Sequence, residues 1–364
     1  MKAIKKDPFI RVVKRASMPL WQSILVRIVA IILSLVVSAV LINLITKLDP
    51  IKVYEAMFKG AFGLELRTWN TIRDMMLLLC IGIGLAPAFK MKFWNIGAEG
   101  QILVGGIASA ACMFYIGDKL PTALMLIVMA AVSALAGAVW GLIPALFKAK
   151  WNTNETLFTL MMNYVAIQLT SFFVDIWDKK GSHSVGVINQ VNRAGWFPQL
   201  FEKQYLLNVI IVLVLTVFMF IYLKKTKHGY EIAIVGESEN TARYAGISVK
   251  RVIIRTMILS GAICALAGFI EVAGVSHTIS VNTAGGRGFT AIIVAWLAKF
   301  NTFTMILISL LLVFLDKGAV QIASDFNLNE YASEMITGII LFFILGSEFF
   351  INYKLLFRSK HKEG

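Results

Sequence analysis

Seven residues, Asn95-Ile96-Gly97-Ala98-Glu99-Gly100-Gln101, put an acid, two amides and two glycines at the mouth of an apolar run that continues Ile-Leu-Val-Gly-Gly-Ile-Ala-Ser-Ala. Polar and charged groups are costly at membrane depth, so they are kept there for transport or for pairing between helices. A second cluster of this kind, Gly285-Gly286-Arg287-Gly288-Phe289-Thr290, opens a later apolar run. Asn163 and Gln168 fall on similar faces of one helix, and Glu271 lies deep between Phe269-Ile270 and Val272-Ala273, where it must face protein or water. Catalytic chemistry has no comparable foothold. The chain carries no P-loop, no nucleophile elbow and no zinc-protease motif. His183, His228, His277 and His361 are scattered without metal-ligand spacing, and Cys80, Cys112 and Cys264 all fall in apolar runs where packing accounts for them. We therefore expect no catalytic residue, no metal and no cofactor. If ATP drives anything here, another polypeptide must hydrolyse it.

Composition places these clusters in a membrane. The 364 residues are 58% hydrophobic, with a mean hydropathy of +0.75; soluble domains hold roughly 45–50% apolar residues by a similar count. A span needs about 20 apolar residues. Such runs occur near 24–46, 72–89, 95–116, 122–147, 155–177, 205–223, 252–275, 287–299, 302–323 and 331–353. The expected fold is an all-α polytopic protein of about ten transmembrane helices, its permease domain occupying 24–353. The net charge of +14 sits in short Lys/Arg segments between the runs, as the positive-inside rule requires, and gives no reason to invoke nucleic acid. That rule puts the basic N-terminus (1–23) and the basic tail (354–364) in the cytoplasm, with the first run a signal-anchor helix. Residues 47–71 suit an amphipathic helix at the outer interface, and 178–204 form a polar outer loop carrying Trp196 and Phe197, either docking a partner or simply solvated. Two inverted five-helix halves would pair span 3 with span 8, and both open on glycines (Gly97 and Gly100; Gly285, Gly286 and Gly288), one on the inner side and one on the outer. Broken helices around a path would give this pattern. Glycines that serve helix crossing, as at Gly137 and Gly141, would give it too.

The long inner loop 224–251 holds a local signal. Ser238 can cap a short helix over Glu239-Asn240-Thr241-Ala242-Arg243-Tyr244-Ala245, and Gly246 suits its end. With Arg243 and Tyr244 displayed, this is a knob for a cytoplasmic protein or an ordinary interfacial helix.

These segments together resemble the permease subunits of bacterial ABC importers in the ribose and branched-chain amino acid permease superfamily, and within it the nucleoside branch. The resemblance runs through Asp49-Pro50, Tyr54-Glu55-Ala56, Gly60-Ala61-Phe62-Gly63, Asn95 to Gln101, Asn154-Glu155-Thr156, Thr159 to Tyr164, Ala242 to Ile247 and Gly286 to Ile292. Trp94 and Trp296-Leu297-Ala298-Lys299 depart from its pattern. The resemblance implies an importer in the bacterial cell membrane. A lipid-anchored binding protein would deliver a nucleoside, a second related permease would pair with this chain, and an ATPase would engage Ser238, Glu239, Ala242, Arg243, Tyr244 and Gly246. Asn95, Glu99, Gln101, Asn163, Tyr164, Phe289 and Thr290 would then line or support the path, since flat bases and sugar hydroxyls call for aromatic faces and amides. A simple-sugar cargo such as ribose is the alternative. An ion-coupled secondary transporter is a further one, and it would need Glu271 as its coupling carboxylate.

Overall fold

The computed structural model describes residues 10–14, 19–117, 119–178, 184–328 and 330–357. Gly181, His183, His361 and the basic residues of 1–9, 15–18 and 358–364 lie outside the described residues. The chain divides into two units, Met1–Arg67 with Phe314–Gly364, and Thr68–Val313.

In the first unit a strand, β1 (Ile10–Lys14), leads into α1 (Leu20–Thr46) and α2 (Pro50–Phe62). Asp49 caps α2 by accepting the Ile51 amide at 3.0 Å, and Pro50 occupies the first turn, where no amide proton is needed. As its pattern predicts, α2 is amphipathic: Val53, Ala56, Met57, Gly60 and Ala61 are buried, whereas Ile51 and Phe58 are exposed. The last helix ends at Asn352, and strand β2 (Tyr353–Phe357) pairs antiparallel with β1, Ile10 opposite Phe357 and Lys14 opposite Tyr353. This two-stranded sheet corrects the all-α expectation. Each strand is only five residues long and carries basic residues (Arg11 and Lys14; Lys354), so neither shows a strand alternation in the sequence.

The second unit contains α3 (Glu65–Lys90, mostly within it), α4 (Ala98–Ile116), α5 (Thr122–Trp151), α6 (Glu155–Trp177), α7 (Leu206–Lys225), α8 (Lys227–Glu237), α9 (Glu239–Tyr244), α10 (Val249–Glu271), α11 (Arg287–Leu297) and the start of α12 (Thr302–Asp325). Helix α13 (Glu330–Asn352) belongs to the first unit. Each expected span coincides with a helix, but among the described residues seven helices are long and apolar enough to cross a membrane. The eighth expected span falls short: the 11 residues of α11 reach about 16 Å, roughly half a hydrocarbon core.

Glycine lets the central helices touch. A β-carbon on Gly261 would lie 2.2 Å from the Gly137 carbonyl oxygen, and one on Gly141 would lie 2.5 Å from that of Met257. Gly137 and Gly141 of α5 thus serve helix crossing, packing backbone to backbone on α10. Ser133 Oγ sits 3.0 Å from the carbonyls of both Gly105 and Ala265 and so joins α5 to α4 and α10. The expected single helix in 224–251 is two. Thr226 caps α8 by accepting the Gly229 amide, and Gly229 packs against the backbone of Leu223. Its Lys-His-Gly opening looked like loop, and only the cap and the buried Ile232 and Val235 mark it as helix.

Candidate translocation site

After α3 the chain leaves helical geometry at Met91 and does not resume it until Ala98, three residues later than the expected start of span 3. A non-helical stretch surrounded by helices needs partners for its peptide groups. Asn95 supplies one locally, its Oδ1 accepting the Gly97 amide at 3.0 Å, while its Nδ2 donates to Ser260 Oγ at 3.2 Å and to Gln101 Oε1 at 3.4 Å. Helix α6 supplies the rest. The Ile96 amide donates to Thr159 Oγ1 at 3.1 Å, the Gly100 amide donates to Asn163 Oδ1 at 2.9 Å, and Asn163 Nδ2 donates to the Ile96 carbonyl at 2.9 Å. Asn95, Gln101, Asn163, Thr159 and Ser260 are all buried. They hold the helix break in place. Gly100 packs closely here: a β-carbon would come within 3.0–3.2 Å of Asn163 and Ala166.

A second break follows α10. Past α10 the backbone widens into a π-turn, Val272–Ser276, then runs irregularly to Gly285 and Gly286, which adopt left-handed φ of 58° and 76° before α11 begins. The two breaks meet. Glu99, in the first turn of α4, accepts the Gly288 amide at the start of α11 at 3.0 Å. A β-carbon on Gly288 would fall 2.6 Å from the Glu99 nitrogen, so only glycine permits the approach. The sequence pattern opened these two helices on opposite sides of the membrane; the hydrogen bond brings their starts to one point. Beside them Arg287 Nη1 donates to Glu271 Oε2 at 3.2 Å. Two helix N-termini, each carrying about half a positive charge, thus converge on one buried carboxylate, next to one neutralised ion pair. Such a centre suits a polar solute without strong net charge.

The expected path residues separate into two groups. Asn95, Glu99, Gln101 and Asn163 gather in the buried network, whereas Phe289 lies on the exposed side of α11, followed by Thr290, whose hydroxyl donates to the Gly286 carbonyl at 3.4 Å. Tyr164 is exposed on α6, turned away from Asn163's buried face. Sequence reasoning missed Thr159, Ser260 and the role of Arg287. A basic residue in a glycine cluster, with one deep acid to match, was the available signal for the last. Trp94 and Trp296, the two departures from the family pattern, stack with ring centroids 5.3 Å apart.

On the 224–251 segment, Ser238 accepts the Thr241 amide at 3.3 Å, Gly246 takes a φ of 75°, and Arg243 pairs with Glu239 at 3.2 Å. Ala242 is buried and Tyr244 is 93% exposed, so α9 is anchored on one side and displays the other.

Several known proteins resemble the chain over nearly its whole length. The guanosine ABC transporter permease protein NupP of Bacillus subtilis is 32% identical over 334 residues, covering 89% of this chain and 93% of the relative. A nucleoside ABC transporter permease of Lactococcus lactis is 28% identical, covering 89% and 91%. A glucose ABC transporter permease of Haloferax volcanii is 27% identical, covering 94% and 92%. No solved structure matches. Residues 67–345, which span both helix breaks and α9, match the model of the family described as branched-chain amino acid transport system, permease component. The chain belongs to that family and is a multi-pass membrane permease of the ABC transporter class.

Proposed function

We propose that this chain is the membrane-spanning subunit of an ABC importer for nucleosides. The observation that carries the reading is the meeting of α4 and α11 at Glu99 and Gly288. Paired helix breaks whose N-termini face one point are how transporters present a polar solute with backbone dipoles at depth. The nucleoside permeases of Bacillus and Lactococcus that this chain resembles supply the cargo class. Both ends on one face of the membrane are supported by the β1–β2 pair, because strands that pair must lie on one face and an even number of crossings returns the chain there; the basic ends assign that face to the cytoplasm. On this topology α9 faces the cytoplasm, and Tyr244 and Arg243 engage a separate ATPase. A second, related permease completes the path, in keeping with two guanosine permeases of Bacillus subtilis, NupP and NupQ, that both resemble this chain. A lipid-anchored binding protein delivers cargo on the far side.

The Haloferax relative favours a second reading, a simple sugar as cargo. Ion-coupled transport is disfavoured because Arg287 already occupies Glu271. Uptake of labelled guanosine, adenosine and ribose, with and without the gene, separates the three. Nucleoside uptake that survives a protonophore and fails on ATP depletion supports the main reading. Sugar uptake alone moves the cargo, and loss under protonophore at constant ATP overturns the ABC assignment.

A further inference from the structure

The segment 184–204 folds back onto the end of α10. The Ile188 amide donates to the His277 carbonyl at 2.8 Å, the Phe197 amide to that of Ala273 at 2.9 Å, and Trp196 Nε1 to that of Ile188 at 2.9 Å. The Trp196 and His277 rings lie flat on each other, 3.7 Å apart and 3° from parallel. Beside this clasp is a cavity of about 350 Å³, within the range of roughly 300–1,000 Å³ for small-molecule sites. Arg193, Trp196, Gln199, Gln204, Thr122 and His277 line it, and among the described residues no acidic one does. The Arg193 guanidinium lies 5.8 Å from the Trp196 ring centroid, and the Nδ1 of His277 is buried with no hydrogen-bond partner among the described residues. Gly274, also in the lining, belongs to the π-turn that follows Glu271. Glu271 holds Arg287, and the next residue, Gly288, binds Glu99. The cavity therefore adjoins the backbone segment that leads to the helix breaks.

We propose that this cavity receives a 6-oxopurine nucleoside on its way into the path, with Arg193 reading the base. The inference rests on the nucleoside reading above and adds the base and the place. A guanidinium is a planar fork of donors and matches the adjacent carbonyl and ring-nitrogen acceptors of guanine or hypoxanthine. Adenine presents an amine donor at the first of those positions, which a group without acceptors cannot satisfy. Trp196 offers the base a flat apolar shelf, and the two glutamines with Thr122 offer the ribose hydroxyls both donors and acceptors.

The test is equilibrium binding of labelled guanosine, inosine and adenosine to the assembled permease, purified from a host that takes up guanosine, without binding protein. Arg193 is exposed, and the clasp bonds it joins, to Asn189 and Trp196, are made by its backbone, so side-chain variants keep them. Arg193→Gln and Arg193→Lys are each expected to weaken guanosine and inosine binding roughly tenfold, as loss of a forked base contact does, with adenosine changed less than twofold. Equal weakening of all three ligands, unchanged binding in both variants, or no binding to a wild type that supports uptake would overturn the assignment of the cavity. A wild type that supports no nucleoside uptake in cells would fail the nucleoside reading itself, and this inference with it.

Discussion

Glu99 and Gly288 are 189 positions apart in the chain and 3.0 Å apart in space, carboxylate oxygen to amide nitrogen. The bond ties the first turn of one interrupted helix to the first turn of another. Glu99→Ala removes the acceptor and strands a buried amide at a helix start, at a cost of about 1–3 kcal/mol. Glu99→Gln keeps an acceptor and loses the charge that complements two helix dipoles. The expected ranking in both uptake and thermal stability of the purified permease is wild type, then Gln, then Ala. Equal activity in all three would remove Glu99 from the mechanism.

Asn163 makes the corresponding tie from α6, accepting from Gly100 and donating to Ile96, each at 2.9 Å. Asn163→Asp keeps the first bond and loses the second; Asn163→Leu loses both. Each stranded backbone group should cost about 1–3 kcal/mol, so Leu is expected to lower the melting temperature more than Asp. A Leu variant as stable as wild type would show that the break needs no support from α6.

The sequence was most legible where the membrane dictates the pattern. Long apolar runs marked each long helix because an exposed peptide group in hydrocarbon leaves no alternative. Local caps were legible as well: Ser238 and Gly246 bracket α9 as their types require. What stayed hidden depends on distant partners. Arg287 and Glu271 stand out only as an unusual base and an unusual acid sixteen positions apart, and the approach of Glu99 to Gly288 is written only as a glycine that could equally have served helix crossing. Helix α8 was obscured because its exposed face is charged and its first turn contains Gly229. Strand β1 forms only because β2, at the other end of the chain, completes its hydrogen bonds.

Gly261 tests the packing of α5 on α10. A methyl group there would meet the Gly137 carbonyl oxygen at 2.2 Å, which forces two backbones apart. Gly261→Ala is expected to destabilise by about 1–3 kcal/mol, the usual cost of overpacking. Gly338→Ala, inside α13 with nothing among the described residues within 4 Å of the new β-carbon, should cost no stability and gain up to about 1 kcal/mol. Thermal unfolding of both variants checks the contrast.

His277 gives the clasp of 184–204 a pH dependence. Burial, with the nearby Arg193 charge, holds its imidazole below the ordinary histidine range. A depressed value means that the clasped state favours neutral His277, so its contribution is complete above about pH 6.5 and fades as pH falls through the lowered value. Amide exchange at Ile188 and Phe197 should therefore quicken on acidification below pH 6.5, after correction for intrinsic rates. His277→Asn, which cannot titrate, should flatten that response.

Tyr244 separates coupling from folding. It is almost fully exposed on α9 while Ala242 beneath it is buried, so Tyr244→Ala should leave the permease folded and Ala242→Asp should not. If α9 transmits ATPase movement, Tyr244→Ala will cut uptake several-fold while membrane levels and melting temperature hold. ATP hydrolysis by the assembled complex should then lose its stimulation by substrate. Uptake and stimulation both at wild-type levels would mean that the exposed ring makes no contact that matters, and would shift attention to the electropositive recess formed by Lys148, Lys150, Arg243 and Lys250.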